Sequence, residues 1–257
     1  MMKKPLIMLT NDDGIRSPGL MAAAEAAAAY GELLIAAPAV QQTGMGRAFP
    51  RTEGSGIIEE TLMNVEGRDY RAYAVHGSPA LAVAHGVMEL SERKPDLCIS
   101  GINYGENLGT TLTCSGTLGA AFEASSHGIP GIAVSAAVEY GKHRSEEFDV
   151  IDWKPAKTIL RQFVEDVLIH GMPRGTDIWN INVPACIKEP FSYRITVQSR
   201  QNYFYFIKPE KRRFDKPYSL KAMQYVDVDS LEKNSDIYAV YVENKISVTP
   251  LSVDMTA

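Results

Sequence analysis

Several functional classes are excluded by what this chain has little of. Only 3 of its 257 residues are cysteine, and Cys98, Cys114 and Cys186 are widely spaced with no CxxC pair. A disulfide framework or a cysteine zinc site needs more ligands at shorter spacing. The 5 histidines, at positions 76, 85, 127, 143 and 170, show no HxH or HxxxH spacing, which excludes a histidine zinc motif. Basic residues are outnumbered, with 26 Lys and Arg against 31 Asp and Glu. A duplex nucleic-acid binder carries the opposite balance. No apolar run reaches the ~18 residues of a membrane span. Met1-Met2-Lys3-Lys4 resembles the charged opening of a signal peptide, but the apolar run behind it, Pro5 to Leu9, is shorter than the ~7 residues a signal needs. The expectation is a soluble, cytoplasmic chain with neither duplex nucleic acid nor membrane as partner.

With 45% apolar and 22% charged residues the composition is that of an ordinary globular protein. Leu6 to Leu9 reads as a short buried strand. Ser17-Pro18 then opens an Ala-rich helix that runs through Met21 to Tyr30 and stops at Gly31. Leu33 to Ala36 is a second strand. Residues 39–69 read as loop plus an irregular strand pair, 70–75 as a strand, and Pro79 to Leu90 as a helix. A strand over Asp96 to Ser100 leads into a Gly-rich loop, 101–114, followed by a helix from about Gly116 to Ser126 and a strand over 132–134. Strand and helix in alternation predict an α/β fold with a doubly wound, mainly parallel sheet. Such sheets bind ligands beyond the carboxyl ends of their strands. Trp153 to His170 reads as an amphipathic helix and Ile178 to Val183 as a strand. From Tyr193 onward, β-branched and aromatic runs alternate with charged turns, as in hairpins. No linker separates the halves, so residues 1–257 are expected to form one domain, with a core over about 1–185 and a β-rich extension over about 186–257.

Three segments follow predicted strand ends or open a helix. In Thr10-Asn11-Asp12-Asp13-Gly14, two adjacent carboxylates repel in a partly desolvated crevice, a conflict that a divalent cation removes. Oxygen ligands suit Mg²⁺ or Mn²⁺. In Ser100-Gly101-Ile102-Asn103-Tyr104-Gly105-Glu106-Asn107, Asn103 and Asn107 offer neutral amide oxygens. At Ser115-Gly116-Thr117, free backbone N–H groups and two hydroxyls open a helix, a ready anion site. Each segment alone is equally ordinary turn or cap chemistry. Together they offer a dication site beside an anion site, the pairing that phosphate-ester chemistry needs.

These residues also resemble the SurE family of survival-protein nucleotidases. The likeness rests on Leu9 to Gly14 with Ser17-Pro18-Gly19, on Ala37-Pro38 and Gly44, on Ser100 to Asn103 with Gly105 and Asn107-Leu108-Gly109, and on Ser115-Gly116-Thr117. It continues through Asn182-Val183-Pro184 and Ser247 to Leu251, with Asp254 and Thr256. The resemblance implies hydrolysis of nucleoside monophosphates to nucleoside and phosphate, with one divalent ion, Mg²⁺ or Mn²⁺, per subunit. Carried over by position, the metal ligands fall on Asp12, Asp13 and Asn103. The fourth, usually a serine hydroxyl, falls on Thr43. Asp12 and Asp13 are the expected catalytic residues, and Asn103, Asn107, Ser115, Gly116 and Thr117 the expected phosphate contacts. Leu81-Ala82 stands where the family commonly has an Asp-Cys pair, which puts in question any part of that carboxylate in shaping the pocket or capping the helix. The resemblance further implies a homodimer or homotetramer formed through C-terminal hairpins.

Asp12-Asp13-Gly14 lacks the Asp-x-Asp spacing of the haloacid-dehalogenase type of phosphatase, which disfavours that mechanism. Two other functions fit the residues: a metal-dependent nucleotide-sugar transferase, and a non-catalytic nucleotide-binding or scaffold protein. Among the histidines only His76, at a predicted strand end, is a pocket candidate. Trp153, Trp179 and Cys98 read as core. The basic run Lys208 to Lys216, behind Tyr203 to Phe206, reads as a solvated hairpin tip used in oligomer contact.

Overall fold

A computed structural model of the chain describes residues 3–138, 148 and 151–256; His143 lies outside them. β1 (Leu6–Thr10) is central because nearly every residue in it is apolar and fully buried. β2 (Glu32–Pro38) runs parallel on one side of it and β5 (Leu97–Tyr104) on the other. Outward from β2 lie β4 (Arg68–Val75), parallel, and β3 (Ile58–Val65), antiparallel at the edge. Outward from β5 lie β6 (Gly131–Ala136) and β7 (Ile178–Val183), both parallel. β11 (Ile246–Leu251) pairs antiparallel with β7, and β8 (Tyr193–Ile195) closes the nine-stranded sheet. The mainly parallel α/β sheet is the one expected.

Helices cover both faces, as uninterrupted apolar strands require. α1 (Pro18–Ala27) and α4 (Lys154–His170) pack on one face, where Leu20, Ala23, Leu160 and Phe163 join one core with Ile7, Ile99 and Ile181. α2 (Pro79–His85) and α3 (Gly116–Ser126) cover the other, with Val83, Ala120 and Ala124 against Met8 and Cys98. Burial pushes the Cys98 thiol up to about 12, consistent with an inert core role. Trp179 is buried, while Trp153 is half-buried and meets the Tyr104 ring edge-on with centroids 5.1 Å apart.

Four expectations are corrected. The strand pair expected within 39–69 is instead one long hairpin, β3 and β4, whose register is continuous from Ile58↔Val75 to Val65↔Arg68. α1 ends at Ala27, short of Gly31, because Glu32 is already drawn into β2 beside β1 through its amide bond to the Pro5 carbonyl. α2 gives way after His85 to one π-helical turn, Gly86–Leu90. Most important for the site, β5 does not stop at Ser100 but runs through the glycine-rich segment to Tyr104. Its register on β6 shifts between Ser100 and Asn103. Gly101 permits this with φ of 133°, and a Cβ there would lie 2.2 Å from the Val134 carbonyl oxygen.

The C-terminal segment adds β9 (Phe204–Phe206) and β10 (Ala222–Gln224), a separate antiparallel ribbon. The basic run Lys208 to Lys216 lies in the exposed stretch joining its two strands. Arg213 pairs there with Asp215, and the Arg212 guanidinium lies over the Phe214 and Tyr218 rings.

Candidate active site

In the strand order β3-β4-β2-β1-β5-β6, the chain leaves β1 toward β2 and later resumes on the other side with β5. The crevice between β1 and β5 is therefore the topological switch point, where open α/β sheets bind ligands. Asp12 and Asp13 sit at its mouth, only 4% and 5% exposed. Asn11 builds the turn that holds them, accepting from the Gly14 amide and donating to the Gly14 carbonyl, both at 3.1 Å.

Each carboxylate is gripped by a different element. The Thr117 hydroxyl donates to Asp12 Oδ1 at 2.7 Å. Gly116 leaves room for this contact: a methyl group there would sit 2.7 Å from Asp12 Cβ and 2.9 Å from its Oδ2. The start of α3 thus rests directly on Asp12, and Ser115 caps it by accepting from the Leu118 amide at 3.1 Å. Asp13 Oδ2 accepts from the Tyr104 amide at 3.1 Å, and its Oδ1 from Gln41 Nε2 at 3.1 Å. Desolvation foremost, then the neighbouring Asp13 charge, push the Asp12 carboxyl up to about 7 against the opposing pull of Thr117.

Asn103 precedes the Tyr104 amide that holds Asp13. Its own Nδ2 donates to the Gly105 carbonyl at 2.6 Å, which fixes the amide so that Oδ1, the atom a cation would use, is turned from that partner. Asn107 is locked in a buried amide network: its Nδ2 donates to Ser135 Oγ at 3.0 Å and its N–H to Asn182 Oδ1 at 2.7 Å. Asn180 and Asn182 both donate to the Asn107 carbonyl. Thr43 is exposed on the loop after β2, and the Gln42 amide just before it donates to the Asp12 carbonyl at 2.7 Å. His76 is 41% exposed in its side chain and pairs with Glu59, with Nε2 2.7 Å from Oε1.

Sequence reasoning passed over Gln41 and Asn180. Only their positions just after or within strands carried a signal, since amides are common in loops. Capping of α2 does not need the carboxylate missing at Leu81, because Ser78 Oγ accepts from the Leu81 amide at 3.1 Å. His127 ends α3 and pairs with Glu123 at 3.0 Å. Among the described residues no three His, Cys, Asp or Glu side chains gather as a metal cluster. Any cation here must draw on Asp12 and Asp13 together with neutral oxygens.

A doubly wound sheet with paired, buried carboxylates at its switch point, set against a helix N-terminus, defines the class: an α/β protein with its candidate site at the carboxyl ends of the central strands. The family described as Survival protein SurE matches residues 7–204, and the chain belongs to it. It is 38% identical over 255 residues to a protein of Methanosphaera stadtmanae named 5'-nucleotidase SurE, covering 98% of this chain and 96% of that one. A Thermococcus gammatolerans protein of the same name is 39% identical over 251 residues, covering 98% and 91%. Among solved structures, the SurE protein from Aquifex aeolicus is similar, with a TM-score of 0.73 at 31% identity over 98% of this chain and 95% of that one.

Proposed function

We propose that the chain is a metal-dependent nucleotidase that hydrolyses nucleoside monophosphates to nucleoside and inorganic phosphate. Membership of a family whose relatives bear that name supports the reading. The observation that carries it is the pair of adjacent carboxylates, each over nine-tenths buried, abutting the first turn of α3. Two buried like charges are costly without a counter-charge, and Asp12 already resists ionising. That donor set, two carboxylates and an amide oxygen, fits one hard divalent ion, Mg²⁺ or Mn²⁺. Asp12, Asp13 and Asn103 would hold it, with Thr43 as the fourth oxygen. When bound, the ion supplies Lewis-acid polarisation of the phosphoryl group and lowers the pKa of water.

The protein's own residues do the rest. Asp12 and Asp13 are oriented from opposite sides, by Thr117 and by the Tyr104 amide and Gln41, so neither swings away as charge develops. The backbone N–H groups that open α3, with Ser115, Gly116 and Thr117, and the Asn103 and Asn107 amides cradle the phosphoryl oxygens. In the net reaction a water oxygen bonds to phosphorus as the ester P–O bond breaks, and the departing nucleoside oxygen takes up a proton. We further place the enzyme in the cytoplasm, where three unpaired cysteines and a nucleotide substrate belong. Residues 1–257 are read as one unit. Exposed Phe206 and Phe214 on and beyond β9 support self-association into a homodimer or homotetramer through the extension after about residue 185.

The test is phosphate release from AMP, GMP, CMP and UMP with Mg²⁺, Mn²⁺ or EDTA. Release with either metal and none in EDTA is expected. No release from any nucleotide with either metal overturns the reading.

A further inference from the structure

Beside Asp13 a cleft of about 960 Å³ runs from the loops after β1 and β2 along the β3–β4 hairpin; Gly14, Gln41, Glu59, Asn64 and His76 line it. Phosphate chemistry uses only the Asp13 end. The remainder lies along β3 and β4, between Glu59 and Asn64 on one and Ala72 and Ala74 on the other, and the Ala39 amide ties the loop after β2 to β4 by donating to the Val75 carbonyl at 2.8 Å. His76 follows Val75 directly. The edge hairpin fixes its backbone, because its amide donates to the Ile57 carbonyl at 2.8 Å and its carbonyl accepts from the Gly56 amide at 2.8 Å. Glu59, in register with Ala74, reaches the His76 ring, and Oε1 lies 2.7 Å from Nε2.

From β1 to β4 is two strand spacings, about 10 Å, and Glu59 reaches back from β3, one strand further out, to the ring of His76, the residue that follows β4. That distance is comparable to the span from the phosphorus of a nucleoside 5'-monophosphate to the far edge of its base. The carboxylate at the far end is an acceptor only, and His76 holds one of its oxygens. We propose that the nucleoside half of the substrate lies along this cleft, and that Glu59, positioned by His76, accepts a hydrogen bond from the exocyclic amine of the base. The inference rests on the nucleotidase reading and deepens it: amine-bearing bases are preferred over uracil.

CMP and UMP test this most cleanly, because they differ only by an amine or a carbonyl at one ring position. With Mn²⁺, the intact chain is expected to show a KM for CMP about tenfold below that for UMP, as one hydrogen bond to a charged group allows. kcat for the two should be similar. In Glu59→Gln the amide also donates, so the CMP preference collapses. In His76→Ala it narrows. Both positions are partly exposed, so both variants fold. p-Nitrophenyl phosphate, which carries no nucleoside, reports on the phosphate end alone, and the ratio of CMP to p-nitrophenyl phosphate kcat/KM should fall in Glu59→Gln. Equal KM for CMP and UMP in the unmodified protein, or a preference that survives in Glu59→Gln, overturns the inference and leaves the nucleotidase reading standing. Failure to release phosphate from any nucleotide overturns both.

Discussion

The two ends of this chain are built on opposite terms. In the first half, strands β1, β2, β5 and β6 are buried on both faces, and the polar groups at their ends are held at hydrogen-bonding distance by other elements. In the C-terminal half, β8, β9 and β10 are three residues each, and Ile195, Phe206 and Phe214 are 56%, 71% and 89% exposed. Burial on both faces leaves a strand one register, which lets the site be positioned to fractions of an ångström. Short exposed strands offer surface instead. The halves meet at the loop after β5, where Gly109 donates to Asp236 at 2.9 Å and the Tyr203 hydroxyl donates to Glu106 at 2.7 Å. Tyr203 is held un-ionised there by burial and by the Glu106 carboxylate.

Substitutions sort along that contrast. The largest effect is expected from Asp12→Asn or Asp13→Asn, which should abolish phosphate release with Mn²⁺ while the circular-dichroism spectrum stays native. Near-normal turnover in either variant would remove the carboxylates from the chemistry. Gly116→Ala comes next. Its methyl group would collide with Asp12, so a loss of about 1–3 kcal/mol in stability and most of the activity is expected. A denaturant midpoint equal to that of the parent contradicts it. Thr117→Val removes the hydroxyl from Asp12 at nearly constant volume and should lower kcat/KM about tenfold, a cost of about 1–2 kcal/mol. An unchanged value would show that Asp12 needs no orienting partner.

Stability against pH gives a subtler separation. Asp12 titrates near 7 in the fold and near 3.8 in the unfolded chain. Between those values the folded protein keeps a proton that the unfolded chain has released, so stability without metal falls as pH rises through this window. Asp12→Asn should therefore raise Tm in EDTA by little at about pH 4 and by most at about pH 8. A gain independent of pH would refute the buried charge. The smallest effect belongs to the exposed half. Phe214→Ser should leave Tm within about 1 °C, since exposed sites change stability little, yet lower the mass seen by light scattering if the ribbon joins subunits. An unaltered mass argues against that role.

Local signals carried the elements whose limits are chemically marked. α3 begins where Ser115 caps it and ends before Gly128, and β7 spans Ile178–Val183, where Ile178, Trp179, Ile181 and Val183 mark the strand. The extent of β5 was hidden, because glycine and asparagine read as turn residues while the bulge at Gly101 keeps them in the sheet. Gln41 and Asn180 were hidden for another reason. Their partners are Asp13 and Asn107, far away in the chain, and a lone amide has no periodicity to announce it.

Taken alone, the order of residues determined the alternation of strand and helix, the acidic turn after the first strand and the capped start of α3. Apolar period, caps and breakers act over a few neighbouring positions. Only the tertiary structure decided that β1 lies between β2 and β5, that α3 rests on Asp12, and that a hairpin from the sheet edge brings Glu59 and His76 to the same cleft as Asp13. Strand order and close approach depend on which surfaces bury each other, a property of the whole chain that no short segment contains.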